Sequence, residues 1–281
     1  MATKKKPSTK TTRKTTKTQS KKSQSQKTNK SPGDIGGVLS LKKKPKNATI
    51  IEGFPGFGLI GTICTEYLIN HLQTEQIGSF WFEDMPAAVA IHGGKLVPPI
   101  EFHYNKKYNV VILHALSAPS GTEWKISDLV MKVADELKAK EILSMEGVGS
   151  QEAMNPQMGI KMGDGDGKTF YYTTNSKQEA KLKLVAEPIK ESIILGVTGA
   201  LLLKEKETPM SALFVETSSS LPDSKAAAQM ITMLDKYLGL KVDPKPLLKT
   251  AEQFEDKIKK ILGGHKQATE MKQQRQLDYL G

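Results

Sequence analysis

The stretch TIIEGFPGFGLIGTICTEYL, residues 49–68, decides how the chain is read. A β-branched run at Thr49–Ile51 leads into a glycine turn, and Ile60, Ile63, Cys64, Tyr67 and Leu68 then recur on one face of a helix. Gly56, Gly58 and Gly61 match G-x-G-x-x-G, the spacing with which a strand–turn–helix brings pyrophosphate to a helix N-terminus. An acidic pair, Glu83 and Asp84, closes the next strand-like run. Two features oppose a dinucleotide site. Pro55 removes an amide that would face phosphate, and Phe54 and Phe57 crowd the turn. The segment after SFWF is rich in hairpins, where a mononucleotide-binding half continues with a helix and a parallel strand. We therefore read the glycines as a packing turn that lets the strand bend and the helix approach the sheet. Cofactor binding through Gly56, Gly58 and Gly61 is the alternative.

Outward from this turn the chain alternates. IGSFWF, AAVAIH, PPIEFHY and NVVILHAL are strand-like, with a short turn at His92-Gly93-Gly94-Lys95. Leu129, Val130, Val133, Ala134 and Leu137 mark a second amphipathic helix, followed by the strand EILSMEGV. Beyond come the strand TFYYTT, a helix near 177–184, the apolar segment SIILGVTGALLL and the strand SALFVET. A third helix over about 223–238 is introduced by Pro222-Asp223. This pattern predicts an α/β fold of three layers with a mixed central sheet.

Charge divides the chain. The formal charge is +11, yet eleven of the 41 basic residues lie in residues 1–30, which contain no acid. The remainder is formally neutral. Residues 1–45, almost all Lys, Thr, Ser and Gln at the start, read as a disordered basic tail. Its role is solubilising, with non-specific nucleic-acid association as the alternative, since clustered lysines displace counterions from phosphate. The folded body is expected over 46–243, a C-terminal amphipathic helix over 244–262, and a flexible arm over 263–281. Leu247, Ala251, Phe254, Ile258 and Ile261 form the helix's apolar seam. Gly263-Gly264 ends it, and the arm carries an apolar tip at Leu277, Tyr279 and Leu280.

Few chemistries fit. The single cysteine, Cys64, sits on an apolar helical face and reads as a buried small hydrophobe. The five histidines are scattered, with no HExxH pair, so no metal is expected. GDGDGKT lacks the four-residue spacing of a phosphate loop and reads as a turn. Asp84, Glu101 and Glu123 are the acids available to a cleft, without any spacing that pairs them. No catalytic constellation emerges and no cofactor is expected. No run approaches bilayer-spanning length and no secretory signal is present, which predicts a cytoplasmic protein.

Several segments together resemble one family. IIEGFPGFGLIGTICTEYLINHL, FWFEDMPAAVAIHGGKLVPPIEFHY, ILGVTGALLL and SALFVETSSSLPDSKAAAQMITMLDKYLGLKVDPKPLL are similar, in order from about Ala48 to Leu262, to the archaeal branch of the proteasome-assembly-chaperone family, related to the second eukaryotic assembly chaperone. The resemblance implies a fold similar to purine nucleoside phosphorylase, no established enzymatic activity, and binding to the α-subunit ring of the proteasome core particle. In some members a C-terminal hydrophobic–Tyr–any-residue tail enters pockets between α subunits. Here the chain ends Tyr279-Leu280-Gly281, so the tyrosine stands one position early. The implied partner-binding residues are Leu277, Tyr279, Leu280 and Gly281, with a homo-oligomer multiplying weak contacts. The alternative is a protein or enzyme that binds a nucleoside, phosphometabolite or dinucleotide in a phosphorylase-like crevice.

Overall fold

The computed structural model describes Met1 and residues 37–86, 89–92, 94–149, 167–204, 208–217 and 222–249. The basic stretch at 2–36, the apolar seam from Ala251 onward and the tail residues Leu277, Tyr279, Leu280 and Gly281 lie outside these.

In chain order the strands are β1 (Gly37–Leu41), β2 (Thr49–Gly53), β3 (Glu75–Phe82), β4 (Ala90–His92), β5 (Lys95–Val97), β6 (Ile100–Asn105), β7 (Val110–Ala115), β8 (Glu141–Gly149), β9 (Thr169–Thr173), β10 (Glu187–Pro188) and β11 (Met210–Thr217). The helices are α1 (Ile60–His71), α2 (Glu123–Leu137), α3 (Ser176–Leu182), α4 (Gly196–Lys204), α5 (Ser224–Leu238) and α6 (Lys245–Lys249), with a 3-10 turn at Phe57–Leu59 before α1.

Nine strands form one sheet in the order β1-β3-β6-β7-β2-β8-β11-β9-β10. The central four, β7, β2, β8 and β11, are mutually parallel. Antiparallel pairing of β1 with β3, β3 with β6, and β6 with β7 extends one side, and antiparallel β9 extends the other. β2 and β7 are buried at every residue, as strands covered on both faces must be. On one face α1 and α5 pack through Ile60, Ile63, Cys64, Tyr67, Met230 and Leu234 against Ile51, Ile112, Leu143 and Leu213. On the other, α2 and α4 pack through Leu129, Val130, Val133 and Leu201 against Ile50, Phe102, Val111 and Ile142. The expected three-layer α/β arrangement with a mixed sheet is the one that forms, and the helical faces read from periodicity are the buried ones.

One expectation changes, and one open segment takes its form. The sequence predicts a body starting at Lys46, but β1 already belongs to the sheet, pairing Gly37 with Phe82 and Leu41 with Gly78. Its five residues bury too little on their own to be distinguished from the tail, and pairing with β3 makes them a strand. SIILGVTGALLL, mostly apolar, contains helix α4, which starts only at Gly196. The hairpin at His92–Lys95 forms as expected, with β5 as the second strand of a small separate sheet. None of the described helices is long and apolar enough to cross a membrane.

Candidate functional site

The carboxyl ends of the central strands gather the chain's most unusual chemistry. β2 is followed by α1 on one face and its neighbour β7 by α2 on the other, so the strand ends diverge between them. Such a switch point is where open α/β sheets place ligands. The glycine turn lies here, and its geometry shows what each glycine does.

Gly53, at the end of β2, lies against Gly61 in the first turn of α1: a Cβ on Gly53 would sit 2.2 Å from the Gly61 carbonyl oxygen. The helix backbone thus touches the strand backbone, as the packing-turn reading required. Gly58 (φ 64°) and Leu59 (φ 52°) are both left-handed, a costly conformation for leucine. They turn Phe57 outward, where it stays half exposed.

Gly56 faces an internal anion. A Cβ there would lie 1.9 Å from Oε1 of Glu146 on β8. The Glu146 carboxylate accepts hydrogen bonds from the backbone N–H groups of Phe57 and Gly147 and, at 3.2 Å, from the Thr198 hydroxyl of α4. The amides that would cradle a pyrophosphate already bind a carboxylate of the same chain, and its charge would repel phosphate. Nor does the acidic pair take a ribose position. In the sheet β3 is separated from β2 by β6 and β7, so Glu83 and Asp84 lie about 14 Å to one side at ~4.8 Å per strand. Asp84 instead pairs with Lys125 at 2.7 Å. The turn has the spacing of a dinucleotide site without its vacancy.

Beside Glu146 lies a second acid that the sequence reading passed over. Glu52, fully buried on β2, stands in register with Ser144 of β8 and Leu113 of β7. Neither of its carboxyl oxygens has a hydrogen-bond partner. The Ser144 and Thr198 hydroxyls are 2.7 Å apart. Ser144 is the one hydroxyl placed to act on Glu52, and its single proton is contested by Thr198, so it cannot satisfy both carboxyl oxygens. Burial pushes the Glu52 carboxyl up to about 8, the Ser144 hydroxyl opposing and the nearby Glu146 adding to the rise. Burial likewise raises Glu146 to about 7, against the opposing pull of Thr198 and the two amides. Glu52 thus holds its proton to higher pH than Glu146 does. A glutamate within TIIEG reads as a strand residue, and only its placement on a strand buried from both faces marked it.

The other sequence candidates are not brought together. Glu101 binds His103 at 2.9 Å and Gln76 at 2.6 Å. His114 is buried, with Nδ1 2.9 Å from the Thr65 hydroxyl and Nε2 3.5 Å from Glu66. Glu123 opens α2. Cys64 is buried and its thiol meets the Ala227 carbonyl at 3.4 Å, as a small core residue would. Among the described residues no group of three or more His, Cys, Asp or Glu is arranged to hold a metal.

Comparison with known proteins places this architecture. A crystal structure of Pyrococcus furiosus PbaA, described as an archaeal homolog of proteasome-assembly chaperone, superposes with a TM-score of 0.70 at 27% identity, over 84% of this chain and 99% of that one. Pyrococcus furiosus PbaB, described as an archaeal proteasome activator, shares the fold at a TM-score of 0.64 and 20% identity, over 81% of this chain and 99% of that one. An uncharacterized protein of Methanocaldococcus jannaschii is 25% identical over 230 residues, 81% of this chain and 91% of its own length. The PAC2 family model matches residues 50–262, and the chain belongs to the PAC2 family.

Proposed function

We propose that this protein is a non-enzymatic chaperone or adaptor of the proteasome core particle that binds α subunits or their assembled ring. The observation that carries this reading is the similarity to PbaA along nearly all of that chain, at 27% identity and with the same fold. PbaB, whose description also names the proteasome, shares the fold.

In this reading contact is made by the C-terminal arm. Leu277, Tyr279 and Leu280 supply the apolar anchor, and the Gly281 carboxylate supplies a charge for a basic pocket. Seventeen residues follow Gly263-Gly264, enough when extended to reach about 55–60 Å. Several arms on a homo-oligomer would raise the effective concentration of each tip. In this reading the protein works in the cytoplasm, and the basic residues at 4–30 would make non-specific contacts with nucleic acid.

The test is capture of purified α subunits by the full-length chain and by a chain lacking residues 279–281. Capture by the full chain, reduced at least about tenfold on truncation, supports both partner and anchor. Equal capture by both discards the tail mechanism, and capture by neither discards the partner.

A further inference from the structure

We infer that Glu52, Ser144, Thr198 and Glu146 form a binding site for one small monovalent cation, sodium, potassium or an ammonium group, at the carboxyl ends of β2 and β8.

Four side chains from three elements converge there. Glu52 comes from β2, Ser144 and Glu146 from β8, and Thr198 from α4. Ser144 and Thr198 are in contact at 2.7 Å, and Thr198 reaches Glu146 at 3.2 Å. The described surroundings supply no countercharge. Glu52 is flanked in the sheet by Leu113 and Ser144, and Glu146 by Phe214 of β11 and the Phe57 and Gly147 amides. Among the described residues no lysine, arginine or histidine acts on either carboxyl.

The independent indication of a ligand is Glu52 itself. It is fully buried, yet both carboxyl oxygens lack a hydrogen-bond partner. A buried carboxyl in that condition is costly whether ionised or neutral, because even the neutral acid keeps a donor and an acceptor unmet. The Thr198 proton goes to Glu146, the turn amides also go to Glu146, and Ser144 has one proton for the two Glu52 oxygens and Thr198. What Glu52 lacks is a cation or donor from outside the chain.

The donor set defines the ion. All the groups are hard oxygens, which suit alkali ions and ammonium and disfavour soft thiolate-seeking metals. Calcium takes about six to eight oxygens and magnesium keeps several waters, more than two carboxyls and two hydroxyls in so buried a place supply. Protons and the cation compete for the same oxygens, so binding strengthens as pH rises. Because Glu146 also holds the Phe57 amide, the ion would tighten the turn that presents Phe57 to solvent.

The test is thermal unfolding of the full-length protein in sodium, potassium, ammonium or choline chloride at equal ionic strength, near pH 8 and near pH 5.5. Choline carries the same charge but is too large for the site. The expected result near pH 8 is a midpoint about 2–4 °C higher in at least one small cation than in choline, shrinking near pH 5.5. Action by ammonium alone would identify an amine head group as the ligand, and action by sodium or potassium would identify a metal ion. Glu52→Gln, which keeps the shape, should abolish the difference between salts. Broadening of the sodium-23 resonance by the wild-type protein, reversed by potassium, reads binding without any variant. Equal midpoints in all four salts with an unbroadened sodium signal, or a salt difference that persists in Glu52→Gln, would overturn the site.

Discussion

The Glu146 carboxylate occupies the space that a side chain on Gly56 would need: a Cβ at Gly56 would stand 1.9 Å from Oε1. The glycine that resembles a cofactor fingerprint is thus required by an internal anion, which binds the Phe57 amide where a phosphate would sit.

Gly56→Ala should therefore destabilise the protein by about 2–3 kcal/mol, through overpacking and loss of the carboxylate's hydrogen bonds. In a Glu146→Ala background the same change should cost at least about 1 kcal/mol less, because the obstacle is gone. Urea denaturation of the four proteins of this cycle measures the coupling. Additive losses would mean that the two residues do not share that space.

Gly61→Ala tests a different contact. Its Cβ would meet the Gly53 Cα and the Met145 carbonyl oxygen, both at 2.7 Å, and neither is a flexible side chain that can swing aside. Helix α1 must lift from the sheet, so the expected loss is about 3 kcal/mol, with no relief from Glu146→Ala. A double variant that recovers stability would contradict the backbone-to-backbone contact.

Stability should fall as pH rises from mildly acidic to mildly alkaline. The unfolded chain releases the Glu52 proton near 4.5, whereas the native protein holds it to about 8. The contribution is full below 4.5, declines between these limits by up to about 1.4 kcal/mol per pH unit, and levels off above them. Glu146, raised to about 7, adds to the decline over the lower part of the window. Glu52→Gln should remove most of the slope and leave the variant more stable than wild type near pH 8. Urea midpoints in choline chloride isolate this proton effect from any bound cation. A wild-type slope of zero or of opposite sign would show that Glu52 ionises normally.

Asp223 caps α5, its Oδ1 accepting from the Ala226 N–H at 2.9 Å and its Oδ2 from the Thr217 hydroxyl at 2.8 Å. Its own N–H donates to the Gly58 carbonyl at 2.9 Å, which joins the cap to the glycine turn. Asp223→Ala should cost about 1–2 kcal/mol, and Asp223→Asn less than half of that. The measurement is the urea midpoint, with hydrogen exchange at Ala226 reporting the cap directly. Unchanged protection there would show that the helix starts without its aspartate.

Local pattern made much of the fold legible. Ile60 through Leu68 and Leu129 through Leu137 recur at helical spacing, and those faces are the buried ones. TIIEG and VVILHA read as strands because they are continuously apolar or β-branched. Pattern failed where an element depends on a distant neighbour. GVLSL becomes β1 only by pairing with β3 some forty residues later. The start of α4 inside SIILGVTGALLL is hidden because so nearly apolar a run carries little period.

The sequence by itself determined the α/β class, the faces of the main helices, the resemblance to the proteasome-assembly-chaperone family and the presence of a packing turn at residues 53–61. Each follows from residues close together in the chain, where spacing translates directly into geometry. The acid pair was decided only by tertiary structure. Glu52 and Glu146 are ninety-four positions apart, and nothing in either segment marks them as neighbours. Parallel pairing of β2 with β8 puts Glu52 beside Ser144, α4 brings Thr198 over them, and burial on both faces of the sheet removes the water that would have kept both carboxyls ionised.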